Sequence, residues 1–138
     1  MNAPLYTIDI LRLAASLAPP RQLEREDGCA ELRSPTCGSR VAAAVQRDAD
    51  IVQGLSLEVH ACAFGQASAA LLQRSAIGRT RDQVARAADE LGGWLGGSDQ
   101  VPDWPETAAL APARSRTSRH AAILLPFRAL LAAMDDAS

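Results

Sequence analysis

The sequence predicts an α+β fold, in which a three-stranded antiparallel sheet carries helices packed on one face. Residues 39–47 and 51–59 alternate between apolar and polar side chains on either side of Asp48-Ala49-Asp50, which is typical of a hairpin. The segments that follow are rich in Ala and favour helices. With a weaker strand at 29–36, the order of elements is α-βββ-ααα, and we expect a single domain over residues 1–138.

The first helix is predicted over residues 4–18. Pro4 suits a first helical turn, and Pro19-Pro20 end the helix because proline cannot continue it. The apolar stripe expected to face the core consists of Leu5, Ile8, Leu11 and Ala15, with Leu17 near its edge.

The strand over 51–59 is predicted from its alternation, and the helix after it from a segment that is rich in Ala and free of Pro. The helix covers 64–77, and Gly78 is expected just beyond its end. The residues expected on the buried face of the strand are Ile51, Leu55, Leu57 and Val59, with Ser56 and Glu58 on the other face.

Two further helices are predicted toward the C-terminus. The pattern Thr80-Arg81-Asp82-Gln83 is a capping box that opens the first of them, and Gly96-Gly97 end it. Residues 98–118 are expected to be mostly loop, with one helical turn. The last helix covers 121–134, with Pro126 inside its first turn.

Composition excludes several classes of function. The 138 residues carry 14 basic and 16 acidic side chains and no Lys, giving a net charge of -2, so a phosphate-backbone binder is not expected. Five aromatic residues are too few for a base-stacking surface. No apolar run reaches the roughly 20 residues of a membrane span, and no signal peptide is recognisable, so we expect a cytoplasmic protein.

Three cysteines are the candidates for chemistry. An odd number in a reducing compartment argues against a disulfide framework, which leaves core packing or metal and sulfur chemistry for Cys29, Cys37 and Cys62. Cys62 lies between a predicted strand and a helix, whose N-terminus favours a thiolate. In the predicted hairpin, Cys37 and Cys62 lie at the same end, as two ligands of a soft-metal site would.

Several short motifs occur in a fixed order along the chain. They are Leu5-Tyr6 with Ile10, Pro20-Arg21, Arg33-Ser34-Pro35-Thr36-Cys37-Gly38, Ala61-Cys62-Ala63-Phe64-Gly65-Gln66-Ala67-Ser68-Ala69, Gly78-Arg79-Thr80, and the segment from Arg119 to Leu130. The series resembles the iron–sulfur cluster assembly scaffolds of the NifU N-terminal/SUF-type U family over nearly the whole chain. The resemblance implies an α+β scaffold protein rather than an enzyme.

The resemblance also implies a ligand set. Members of this family hold zinc or a nascent cluster with three Cys and one Asp. Cys37 and Cys62 match two of these positions, whereas Ser39 stands at the Asp position and Ala122 at that of the third Cys. Cys29 has no counterpart in the motifs.

Other side chains are candidates to complete the site. His120 and His60 each lie two residues before a family ligand position and carry good ligands for zinc or iron, although hydrogen-bonded or exposed histidines are the simpler interpretation. Arg119 resembles a family Arg near the site and is equally consistent with a surface residue. Cys29 could approach Cys37 if 29–36 joins the sheet, and all three cysteines could be inert packing residues.

The resemblance implies two alternative functions. The first is a scaffold or sulfur acceptor that receives persulfide sulfur from a cysteine desulfurase, or holds iron or zinc, on Cys37 and Cys62. Any cluster would be labile and would need outside ligands, such as a homodimer partner or a small thiol. The second is a degenerate module that binds no cluster and regulates a desulfurase or another assembly protein.

Arg114, Arg116 and Arg119 form either a solvated loop or a docking face for an acidic partner. Residues 113–118 lack the Leu-Pro-Pro-Val-Lys motif by which some relatives bind a chaperone, so chaperone docking there is not expected.

Overall fold

The computed structural model describes residues 6–35 and 38–136. The strands form one antiparallel sheet in the order β1-β2-β3, with the helices against one face, which confirms the predicted α+β fold. The elements in chain order are α1 (Ile8–Ala15), β1 (Gly28–Arg33), β2 (Arg40–Asp48), β3 (Ile51–His60), α2 (Ala63–Ser75), α3 (Arg81–Leu95), two 3₁₀ segments (Thr107–Ser115 and Thr117–Arg119) and α4 (His120–Asp135).

The core lies between the sheet and the helices. Alternate residues of the middle strand, Val41, Ala43 and Val45, are buried. α4 packs against β1 and β2, and α2 packs against both α1 and α4. Among the residues described, no helix is long and apolar enough to cross a membrane.

The strand β3 departs from the predicted alternation at its first residues. Ile51 was expected to be buried but is 39% exposed, whereas Val52 is fully buried. The cause is an irregularity in the pairing, since Gln46 pairs with Gly54 but Arg47 pairs with Val52, so that Gln53 is an extra residue. Such a bulge reverses which side chains face the core. Beyond it the prediction holds, and Leu55 and Leu57 are buried.

The helix α1 buries a different face from the one predicted. Ile10 and Leu13 are buried, whereas Ile8 is 66% and Leu11 is 50% exposed, so the predicted stripe is wrong. Leu5 and Pro4 of that prediction lie outside the described residues. The sequence carries apolar residues on two sides of this helix, and the packing of α1 against α2 selects one of them.

The bounds of α1 are also shorter than predicted. It begins after Thr7, whose hydroxyl accepts the Ile10 N–H at 3.2 Å. It ends at Ala15, before the two prolines, where the Ser16 hydroxyl donates to the Leu13 carbonyl at 2.7 Å.

The start of α3 confirms the predicted capping box. The Thr80 hydroxyl accepts the Gln83 N–H at 3.1 Å, and the Gln83 side chain accepts the Thr80 N–H at 2.9 Å. The helix ends at Leu95, followed by Gly96 as predicted. The segment after it is more ordered than the expected loop, because two 3₁₀ segments occupy most of 107–119.

The crossing of α2 and α4 positions the site described below. α4 begins at His120, so Pro126 lies in its second turn and the predicted first-turn position is wrong. The fully buried Ser68 hydroxyl donates to the Ile123 carbonyl at 2.5 Å. A Cβ on Gly65 would lie 2.6 Å from the Ala61 Cβ and 3.3 Å from the Ala122 carbonyl oxygen, so glycine lets the two helices approach.

Candidate functional site

A cleft of about 230 Å³ lies at the end of the sheet where β2 begins, β3 ends, and α2 and α4 start. Three segments that are distant in the sequence meet there. The described residues that line the cleft are Gly38, Ser39, His60, Ala61, Cys62, Ser118, Arg119 and Ala122.

The turn between β1 and β2 forms one wall. The Gly38 N–H donates to the Ser34 carbonyl at 3.1 Å, and the Ser34 N–H donates to the Ser39 carbonyl at 2.8 Å. Gly38 has a φ of +73° with open space where a Cβ would lie, so conformation rather than crowding requires glycine here. Ser39 is buried beside it. Cys37, the predicted ligand in this turn, lies outside the described residues.

Cys62 occupies the junction of β3 and α2. It is the N-cap residue of α2, with an extended backbone, and its carbonyl accepts the Gln66 N–H at 2.9 Å. Its side chain is half-buried, makes no capping hydrogen bond and is in no disulfide. The sulfur therefore lies at a helix N-terminus, where backbone N–H groups and the helix dipole favour negative charge.

Arg119 is the N-cap residue of α4 and lines the opposite wall. Within the described part of the chain, its side chain has neither an ion pair nor a hydrogen bond. No carboxylate is among the described residues of the cleft, so Arg119 gives the lining a positive charge.

The two histidines proposed as substitute ligands lie in different places. His60 lines the cleft, and its Nε2 is 3.3 Å from a Glu58 carboxylate oxygen. His120 does not belong to the described lining, because its Nε2 lies 2.8 Å from the Ala113 carbonyl and must donate to it. His120 thus contacts the 3₁₀ segment that precedes α4.

Cys29 lies apart from the cleft. It is exposed on β1 and is paired in register with Ala44, while Arg33 at the cleft end of the same strand pairs with Arg40. Cys29 lies four residue steps from Arg33 along the strand, a distance of about 13 Å. The Cys29 N–H donates to the Asp136 carboxylate at 3.0 Å.

Ala122 lines the cleft and is 1% exposed. Three of the ligand positions that the resemblance implies therefore lie at one cleft, where the residues are Ser39, Cys62 and Ala122. Sequence reasoning missed Ser118, which lines it as well. A serine within a stretch of Ser, Thr and Arg gives no signal that distinguishes it.

The predicted cluster of arginines does not form one surface. Arg114 donates to the Trp94 carbonyl at 2.9 Å and to the Ser98 carbonyl at 2.8 Å, and its guanidinium stacks over the Trp94 ring at 5.1 Å. It therefore anchors the loop to α3. Arg116 is exposed and Arg119 belongs to the cleft.

No three His, Cys, Asp or Glu side chains in residues 6–35 and 38–136 are grouped closely enough to hold a metal ion. The described donors at the cleft are one thiol, one imidazole and hydroxyl groups. A thiolate and an imidazole suit iron or zinc, whereas a neutral hydroxyl is a poor ligand for either.

Comparison with known proteins identifies the family. No protein-family model and no curated protein sequence matches the chain. Among solved structures, it is similar to the N-terminal NifU-like protein from Brucella abortus, with 30% identity and a TM-score of 0.83 over 94% of this chain and 92% of that one.

Two other structures share the fold at 20% identity. One is described as a putative iron–sulfur cluster assembly scaffold protein for the SUF system, from Fervidobacterium islandicum AW-1, with a TM-score of 0.81 over 95% of this chain and 97% of that one. The other is a hypothetical protein, with a TM-score of 0.71 over 92% and 96%. The identity and coverage of the Brucella protein show that the chain belongs to the NifU-like N-terminal family.

Proposed function

We propose that this chain is an iron–sulfur cluster assembly scaffold that holds its cargo, a nascent cluster or its iron, on the thiolates of Cys62 and Cys37. The observation that carries the proposal is the meeting of the segments 38–39, 60–62 and 118–122 at one cleft. The relatives, a NifU-like protein and a SUF-system scaffold, support the same role.

The position of Cys62 suits the binding of sulfur and iron. Its thiol is free of capping and disulfide bonds and is half-buried at the start of α2, so it is accessible from the cleft. Iron–sulfur clusters are held mainly by thiolates, and the helix N-terminus stabilises the charge that a thiolate carries. The same features suit a persulfide received from a cysteine desulfurase, the partner that we propose.

The donor set explains why the cargo would be labile. A [2Fe–2S] cluster has about four terminal ligand positions, and the two thiolates of one chain fill half of them. Ala122 supplies no donor, and the Ser39 hydroxyl is neutral. Transfer to a recipient protein then requires few protein–iron bonds to break.

Anaerobic reconstitution with ferric iron and sulfide tests this proposal. Wild-type protein should gain the visible absorption of a cluster, together with iron and sulfide in stoichiometric amounts. The double variant Cys37→Ser, Cys62→Ser should lose both. Cys29→Ser is the matched control, because this exposed thiol lies away from the cleft, and it should behave as the wild type does. A stable cluster in the double variant would contradict the assignment.

A second candidate function is favoured by Ala122 and Ser39, which are weak or absent donors at the cleft. In this case the domain regulates a cysteine desulfurase, or another assembly protein, without binding a cluster. Metal analysis of protein purified without chelators distinguishes the two functions. Iron or zinc near one per chain excludes the second, whereas metal-free protein that binds a desulfurase and changes its rate supports it.

A further inference from the structure

The cleft offers more than a thiolate site, because its charge favours a negative group. Arg119 is the charged guanidinium of the described lining, which contains no carboxylate. The helices α2 and α4 both begin here, and neither has a capping side chain or an acidic residue in its first turn. The first backbone N–H groups of α2 therefore add to the attraction for an anion, whereas the first N–H of α4, that of His120, donates to the Thr117 carbonyl.

The size of the cleft limits the ligand. Its volume of about 230 Å³ is below the roughly 300 Å³ at which pockets for drug-sized ligands begin. A molecule the size of an amino acid is therefore the expected occupant.

The chemistry of the walls defines what the ligand must carry. Cys62 supplies a thiol, and Ala122 leaves the α4 wall without a donor. Ser39 offers a neutral hydroxyl, which does not replace a thiolate on iron. The missing donor is thus a soft sulfur, and the partner of Arg119 is an anionic oxygen.

From these features we infer that the cleft binds a low-molecular-weight thiol that carries a carboxylate, with its sulfur next to Cys62 and its carboxylate on Arg119. This inference rests on the proposed scaffold function, because the thiol completes the ligands of the cargo. On binding, the thiol would lose its proton to solvent, and its sulfur would replace a solvent molecule on the cargo iron, so that one iron–oxygen bond is exchanged for one sulfur–iron bond. No electron is transferred.

The test uses two thiols that differ in a single group, 3-mercaptopropionate and 3-mercapto-1-propanol. Reconstituted full-length protein is transferred anaerobically into each thiol, and the half-life of the cluster absorption is measured. The wild type should retain its cluster about tenfold longer in the carboxylate thiol, since charge-assisted hydrogen bonds reach this size.

Two variants assign the preference to Arg119. Arg119→Gln should give equal half-lives in the two thiols. Arg116→Gln is the matched control, since it removes the same charge from an exposed position in the same loop and should keep the preference. Ala122→Cys supplies the missing thiolate from the chain itself. The cluster of this variant should therefore have a long half-life that does not depend on the added thiol.

The outcomes separate the inference from the function on which it rests. Equal half-lives in the wild type, or a preference that persists in Arg119→Gln, overturn the inference and leave the scaffold function standing. A half-life that depends on protein concentration but not on the thiol also overturns it and assigns the missing ligands to a second copy of the chain. A complete lack of cluster in wild type and in Ala122→Cys overturns both.

Discussion

The four helices begin in two contrasting ways. α1 and α3, which start away from the cleft, have Thr7 and Thr80 as capping side chains and an acidic residue in the first turn. α2 and α4, which start at the cleft, have Cys62 and Arg119 at the N-cap, no capping hydrogen bond and no first-turn acid.

At the cleft, α2 and α4 begin without the stabilisation that a capping side chain provides. A threonine at the N-cap stabilises a helix by about 1 kcal/mol relative to a residue that does not cap. The cleft instead has a thiol and a guanidinium at these positions, and departures from local preference of this kind are typical of functional sites. The first N–H groups of α2, which have no capping side chain, remain available to a ligand.

The arginines at the starts of α3 and α4 differ in their ion pairs. Arg81 at the start of α3 donates to both carboxylate oxygens of Asp135 at the end of α4, at 2.6 and 2.9 Å. Hydrogen bonds from Arg25 and from the Arg47 backbone hold the pKa of Asp27 below its usual range. Arg119 at the cleft has no comparable partner among the described residues.

We expect packing between α2 and α4 to compensate for the missing caps at the cleft, and Ser68→Ala tests this with the largest expected effect on stability. The substitution removes a buried hydroxyl and leaves the Ile123 carbonyl without this donor. We expect a loss of about 1–3 kcal/mol in the free energy of unfolding, measured by urea denaturation. A loss smaller than that of Thr80→Ala would show that the contact does not compensate for the missing caps.

Substitutions at two N-caps should have opposite effects on stability. Thr80→Ala removes the acceptor of the Gln83 N–H and should cost about 1 kcal/mol. Cys62→Ser places a capping side chain on an extended N-cap residue and should stabilise the protein by about 0.5–1 kcal/mol while it weakens metal binding. Urea denaturation and metal analysis of the same samples check both effects. Destabilisation by Cys62→Ser would show that the thiol is a packing residue.

The smallest effect is expected at Asp135, and it depends on pH. The hydrogen bonds from Arg81 lower the pKa of Asp135 from its ordinary value of 3.8. The ion pair therefore stabilises the fold above about pH 4, and this contribution is lost as the pH falls through the lowered pKa. Thermal unfolding of Asp135→Asn should show a slight destabilisation at pH 7 that disappears in acid. Asp99→Asn, at an exposed loop position, should differ little from wild type at either pH.

Local patterns predicted much of the fold. The capping box at Thr80 and the hairpin around Asp48-Ala49-Asp50 are encoded within a few residues, so they could be identified directly. The buried face of α1 could not, because both sides of that helix are apolar and only the contact with α2 selects Ile10 and Leu13. Likewise, the extra residue Gln53 arises from pairing between strands, which single-strand periodicity does not reveal.

The motifs marked residues that the structure brings together, and their role as a site stays a prediction. Ser39, Cys62, Arg119 and Ala122 were identified from motif order, and they line one cleft. His120 is hydrogen-bonded, as in the simpler interpretation, but its partner was not predictable, because the Ala113 carbonyl lies in a 3₁₀ segment that has no clear sequence signal. Cys37 remains a predicted ligand on the strength of its motif.

In the proposed scaffold, the wall formed by Ala122 lacks a ligand for the cluster. Ala122→Cys tests it most directly, with Ala121→Cys as the matched control, since the neighbouring position places the thiol on another side of α4. The measurement is the half-life of the reconstituted cluster absorption in a thiol-free buffer. We predict a cluster at least about tenfold longer-lived in Ala122→Cys alone, as expected when an added thiolate bond slows release of the cargo. Equal half-lives in Ala122→Cys, Ala121→Cys and wild type would contradict the account.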